Sequence, residues 1–123
     1  MITLKPNENK EIVKKYFDDN GFKFLSTSGV LEAKCAEEIL GFCLYYLDKD
    51  GMEILKLSPN DDLSLADGIL RSTIHLACER FILNVSYGEN ADISLFEKLN
   101  FIKDKEKRLL DADKLFGGCN CHN

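Results

Sequence analysis

The segment from Phe81 to Phe101 constrains this chain more than any other. Phe81 to Tyr87 is rich in β-branched and aromatic residues and reads as a buried strand. After a polar stretch, Asp92 to Leu99 reads as one amphipathic helix, and the chain then turns back into a strand at Phe101. Upstream, Leu65, Ile69, Ser72 and Leu76 mark one face of a long helix from about Ser64 to Arg80, and Leu70, Ile74, Ala77 and Phe81 extend it. Ser64 followed by Asp67 resembles a capping box, which puts the helix start at the serine. Met52 to Ser58, ended by Pro59, is the strand before that helix. A strand, a crossover helix and a further strand imply a parallel pair, because a tight turn joins only antiparallel neighbours.

The other elements assemble around that unit. Ile2 to Leu4 reads as an edge strand stopped by Pro6. Asn9 to Asn20 reads as a helix, since Ile12, Val13, Tyr16 and Phe17 share a face and Gly21 suits the C-terminal cap. A connector, Phe22 to Gly29, leads to three strands. In Val30 to Ala36, Leu31, Ala33 and Cys35 alternate with Glu32 and Lys34, as in a strand with one wet face. Leu40 to Asp48 is almost wholly apolar and belongs in mid-sheet. Lys49-Asp50-Gly51 is a hairpin turn in which glycine would supply a positive φ. Phe101 to Lys105 and Lys107 to Leu110 form a charged hairpin, and Asp111 caps a short turn through Phe116. The expected order is β-α-β-β-β-α-β-α-β-β. That is a single α/β (α+β) domain over residues 1–116, a mixed sheet with helices on both faces, followed by a flexible tail, 117–123.

Composition narrows the class of function. The chain has 123 residues, 45% of them apolar, enough for one core. Its net charge of −5 disfavours nucleic acid and anionic membrane surfaces, which need a cationic footprint. No apolar run approaches the roughly 18 residues of a membrane span. Met1-Ile2-Thr3-Leu4-Lys5-Pro6-Asn7-Glu8 lacks the apolar centre of a signal peptide, so a cytoplasmic protein is expected. The 5 cysteines are an odd set and are expected to be mostly free thiols. An exposed edge at Ile2 to Leu4, or in the final hairpin, would permit a homodimer.

Ile93-Ser94-Leu95-Phe96-Glu97-Lys98-Leu99-Asn100-Phe101, set in this element order, resembles the last third of the Gcn5-related N-acetyltransferase (GNAT) fold. The pattern there is apolar-x-Leu-Tyr-x-Lys-x-Gly-Phe. Phe96 stands in place of the tyrosine that is often the general acid, and Asn100 in place of the glycine. Leu57-Ser58-Pro59 is similar to the family's Val-x-Pro strand ending. The resemblance implies acetyl-CoA as cofactor, a small amine or protein amine as acceptor, and a pyrophosphate held on the loop and helix N-terminus after that strand. The family's Gln/Arg-x-x-Gly-x-Gly/Ala loop falls on Leu63-Ser64-Leu65-Ala66-Asp67-Gly68. The implied cofactor-binding residues are therefore Leu57, Leu65, Ala66, Asp67, Gly68 and Ile69, with backbone N–H near Leu57 polarising the thioester carbonyl. Leu63 replaces the Gln/Arg, and Asp61, Asp62 and Asp67 crowd the same place, so the segment also reads as an ordinary capped helix.

Acetyl transfer needs a base for the amine proton and an acid for the leaving thiolate. With Phe96 unable to donate, Tyr87 is the candidate acid because strand ends line the cleft; it also reads as a partly buried tyrosine whose hydroxyl meets water. Glu53 is the candidate base, with Glu32 beside it; both also read as solvated sheet-face residues. The alternative function is a catalytically silent domain of this fold acting as a binding module. Its tail, Cys119-x-Cys121-His122, offers two thiolates and an imidazole, donors that suit zinc or copper. Three ligands fall short of the four of a closed zinc site, and the tail reads equally as an exposed end or a redox pair.

Overall fold

The computed structural model describes residues 1–117. Strand β1 (Ile2–Pro6) is followed by helix α1 (Lys10–Asp19). The Asn9 side chain accepts the amides of Glu11 and Ile12 at the start of α1, and Gly21 takes φ +78° just past its end. Strands β2 (Ser28–Cys35), β3 (Glu38–Asp48) and β4 (Gly51–Ser58) form an antiparallel meander, with β1 paired to β2. Helix α2 (Leu63–Cys78) crosses to β5 (Val85–Tyr87), which runs parallel to β4. Helix α3 (Ile93–Lys98), strands β6 (Ile102–Asp104) and β7 (Leu109–Leu110), and a final turn α4 (Lys114–Gly117) complete the order. The seven strands lie as β1-β2-β3-β4-β5-β7-β6.

The sheet is covered on both faces. On one, Val13 and Phe17 of α1 pack on Val30, Leu44 and Leu55. Phe17 is wholly buried within an aromatic group of Phe22, Phe24 and Tyr46, with ring centroids 5.7–6.4 Å away. On the other, Ala66, Ile69, Leu70 and Ile74 of α2 pack on Leu31, Cys43, Ile54 and Leu57, in a cluster that also takes in Leu95 and Phe96 of α3. This is the mixed α/β sheet that the hydrophobic periodicity implies. Among the described residues no helix is long and apolar enough to cross a membrane.

Four local expectations are corrected. First, β2 has no wet face at Glu32, which is only 5% exposed. Its carboxylate accepts from the Tyr16 hydroxyl at 2.7 Å and the Asn7 side-chain amide at 3.0 Å, joining α1 and the β1–α1 link to the sheet. Burial and the neighbouring Glu32 carboxylate raise the Tyr16 pKa above the usual phenol value, so this tie is intact at neutral pH and weakens only as pH rises past about 10. Glu32→Leu strands two donors, and we expect it to cost about 2–3 kcal/mol in urea unfolding. Second, α2 is capped by Asp62, which accepts the Leu65 amide at 3.1 Å, and not by Ser64; Asp67 instead pairs with Arg71 at 2.8 Å.

Third, the strand expected from Phe81 is confined to Val85–Tyr87. The Phe81 and Ile82 amides bond back to the Cys78 and Ala77 carbonyls at 2.9 and 3.0 Å, a Schellman closure of α2. It puts Phe81 at φ +61°, where glycine is usual, and leaves its side chain 93% exposed. Fourth, Gly51 has no positive φ. Asp48 Oδ1 accepts both the Asp50 and Gly51 amides to close the turn, and glycine is needed because a Cβ would lie 2.9 Å from the Asn84 carbonyl oxygen. At the end of α3, Asn100 adopts φ +60°, a conformation asparagine tolerates better than most side chains.

Candidate functional site

Strands β4 and β5 pair only from Met52 to Ile54. The Gly88 amide still reaches the Ile54 carbonyl at 2.9 Å, and the chain then leaves for α3, whose first turn is fixed by Asp92 accepting the Leu95 amide at 3.2 Å. The β5 side of β4 from Leu55 to Ser58 therefore has no strand beside it. A β-bulge falls at the same place: Lys56 faces Leu44 and Ile54 faces Tyr45, so Leu55 is the extra residue. Gly41 of β3 lets the end of β4 lie close, since a Cβ there would be 2.5 Å from the Ser58 carbonyl oxygen and 2.8 Å from Pro59 Cδ.

The opening is a cleft of about 670 Å³. Leu55 to Asp61 form its floor, Asn20, Gly21 and Phe22 one wall, and Asn90 and Asp92 the other. That volume is typical of small-molecule sites. Lys56, Asp61 and Asp92 are the charged residues of the lining, so two acids face one cation. The Lys56 ammonium also donates to Asn20 Oδ1 at 2.9 Å. The cleft is thus net negative, most clearly at its α2 end.

The implied cofactor residues divide. Leu57 lines the cleft and also belongs to the core cluster under α2. The lining approaches α2 only as far as Asp61; Leu65, Ala66, Asp67, Gly68 and Ile69 are not part of it. Ala66 and Ile69 are wholly buried, Asp67 is held by Arg71, Gly68 lies beside Leu4, and the Leu65 amide is occupied by Asp62. Sequence reasoning missed Asn20, Phe22, Lys56, Asn90 and Asp92. Asn20 and Asp92 were legible as helix boundaries, but nothing local signals that both ends come to one cleft.

Tyr87 and Glu53 flank the β4–β5 pair without meeting. Tyr87 is registered with Ile54, and Glu53 with Ser86, so their side chains project from opposite faces of the sheet. Tyr87 is 2% exposed, and its ring lies 5.4 Å from that of Phe96. Its hydroxyl is sealed and has no hydrogen-bond partner among the described residues. Glu53 is half-buried, and its carboxylate stands against Gly88, where an added Cβ would lie 3.1 Å from Oε2. It lies just before the strands part and lines a separate surface pocket with Asn84 and Ser86, not the cleft itself. Glu32 is engaged by Tyr16 and Asn7, outside the cleft. Cys119, Cys121 and His122 lie outside the described residues. Among those described, no three metal-ligating side chains gather.

No protein-family model matches the sequence, and no curated protein matches it. Solved structures do. A GNAT family acetyltransferase from Elizabethkingia anophelis, with acetyl-CoA bound, is 18% identical and superposes with a TM-score of 0.57 over 84% of this chain and 78% of that one. The ribosomal-protein-alanine N-acetyltransferase of Brucella melitensis is 12% identical, with a TM-score of 0.63 over 85% of this chain and 94% of that one. The ribosomal-protein-S18-alanine N-acetyltransferase of Escherichia coli is 15% identical, with a TM-score of 0.57 over 89% and 88%. The fold of this chain is that of the GNAT acetyltransferases.

Proposed function

We propose that this chain, having the GNAT fold, transfers an acetyl group from acetyl-CoA to an amine of a small molecule or a protein. The parting of β4 from β5 after Ile54 carries the reading, since it leaves a length of strand edge exposed in a cleft of ligand size. The structural relatives include a GNAT acetyltransferase with acetyl-CoA bound and two whose names give a ribosomal-protein alanine as acceptor, which supports a protein amine as one substrate class.

The fit of acetyl-CoA to these residues is uneven. The unpaired edge of the backbone from Leu55 to Ser58 offers hydrogen-bonding groups for an extended amide-containing arm, and the bulge at Leu55 interrupts the regular ladder there. The α2 end fits a pyrophosphate poorly: Asp62 already holds the Leu65 amide, and Asp61 and Asp92 face the space. Bound acetyl-CoA would supply a thioester carbonyl open to attack by an amine. Amides near Leu57 would stabilise charge developing on the carbonyl oxygen, and Glu53 would take the amine proton. The Tyr87 hydroxyl is sealed outside the cleft, so the departing CoA thiolate would take its proton from water at the cleft mouth and not from Tyr87.

The acidic lining makes a directional prediction. Asp61→Asn combined with Asp92→Asn removes two like charges, each costing on the order of 1 kcal/mol against a phosphate. The double variant should bind acetyl-CoA about thirtyfold more tightly by calorimetry. Activity is tested by following thiol release from acetyl-CoA with a panel of small amines and alanine-started peptides. Acceptor-dependent release supports the proposal; none above buffer with any acceptor contradicts it.

A second reading is a catalytically silent binding module of the same fold. It is favoured by Phe96 at the usual acid position and by the occupied helix start at Asp62. Zinc or copper capture by Cys119, Cys121 and His122 belongs to this reading. It requires metal content to fall when the last seven residues are removed from anaerobically prepared protein.

A further inference from the structure

A larger cavity, about 820 Å³, opens at the other end of α2, beside Leu76 and, just past the helix, Arg80. It shares no lining residue with the β4–β5 cleft. The two come near each other only along the connector after α1, where Phe22 lines one and Phe24 the other. Val13, Phe24, Leu25, Leu47 and Leu76 give this cavity an apolar wall.

Tyr45 points its polar end at this space. Tyr45 is only 7% exposed, and its hydroxyl donates to no described residue. The phenol passes directly over Gly29, another lining residue: a Cβ there would lie 2.5 Å from the hydroxyl oxygen. Glycine at 29 therefore keeps open the path by which a core tyrosine reaches the cavity. Burial pushes the Tyr45 pKa up to about 12, with Cys43 adding to the rise and the Arg80 guanidinium opposing it. The phenol is thus a donor at neutral pH, close enough to Arg80 to feel its charge. Arg80 and Lys10 stand at the rim, and neither has an ion-pair partner within 4.0 Å among the described residues. Glu8 shares the rim, so two cations face one acid.

We infer that this cavity is a second ligand site, which takes a monocarboxylate with an apolar body: the carboxylate held by Arg80 and the Tyr45 hydroxyl, the body against the apolar wall. An apolar wall with one phenol donor and a net charge of about +1 from Arg80, Lys10 and Glu8 distinguishes such a ligand both from a polyanion, which would find too little positive charge, and from a neutral apolar molecule, which would leave the donors unmet.

The test uses octanoate and its uncharged amide, octanamide, titrated into the full chain and followed by amide NMR. Octanoate should give saturable shifts at Ser28, Gly29 and Leu47, with a dissociation constant below about 1 mM. Octanamide should bind at least about tenfold more weakly, since it cannot pair with Arg80. Arg80→Gln, an exposed substitution that leaves the core untouched, should weaken octanoate by about tenfold, and Tyr45→Phe by about threefold. The inference is overturned if octanoate gives no saturable shifts, if octanamide binds as well, if Arg80→Gln binds octanoate like the parent, or if the shifts fall at Leu55 to Pro59 instead.

Discussion

Replacing Phe17 with alanine should destabilise the domain by about 3–5 kcal/mol, a large share of the 5–15 kcal/mol that holds most domains folded. Phe17 is wholly buried and touches three other aromatic rings, so its loss leaves a cavity that rigid neighbours cannot fill. The effect should reach the cleft as well. Phe22, one of those rings, is part of the cleft wall, and Asn20 of the same turn holds Lys56. Urea unfolding should show a lower midpoint with an unchanged slope, and amide shifts of the folded variant should spread to Asn20, Gly21 and Phe22. A loss under about 1 kcal/mol would mean that α1 is not anchored through this side chain.

Glu53→Gln should lower the rate of acetyl transfer by about a hundredfold or more, the usual contribution of a positioned base. Glutamine keeps the shape and can still contact Gly88, but it cannot take a proton. The affinity for acetyl-CoA and the midpoint of unfolding should both stay near those of the parent. That separation distinguishes a base from a packing residue. Equal rates in parent and variant, with any acceptor that turns over, would remove Glu53 from the mechanism.

Hydrophobic periodicity and turn residues carried most of the architecture. Asn9, Gly21 and Pro59 bound their elements because caps and breakers act locally, and the parallel β4–β5 pair followed from connection length alone. What stayed hidden depends on distant partners. Glu32 alternates with apolar neighbours just as a solvated residue would; the groups that bury it lie 16 and 25 residues away. Phe81 adds to an apolar run, yet it closes a helix in a conformation that glycine usually takes, which no pattern of hydrophobicity reveals.

The candidate site was legible only in part for the same reason. Tyr87 reads as a strand-end residue and Glu53 as a strand-face residue, and only the register shows that they project from opposite faces. The bulge at Leu55 and the approach of Asn20 and Asp92 are products of three-dimensional packing. The expected pyrophosphate amides from Leu65 to Ile69 failed as cleft residues because the helix begins at Asp62, and the aspartate carries its own acceptor to the helix start.

Acetyl-CoA titrated into the full chain, with heat and amide shifts recorded together, tests the central claim most directly. Saturable binding is predicted with a dissociation constant below about 1 mM and shifts centred on Leu55 to Asp61 and Gly88 to Asp92. Absence of heat at millimolar ligand, or saturable shifts that bypass both segments, would contradict a donor seated where β4 and β5 part.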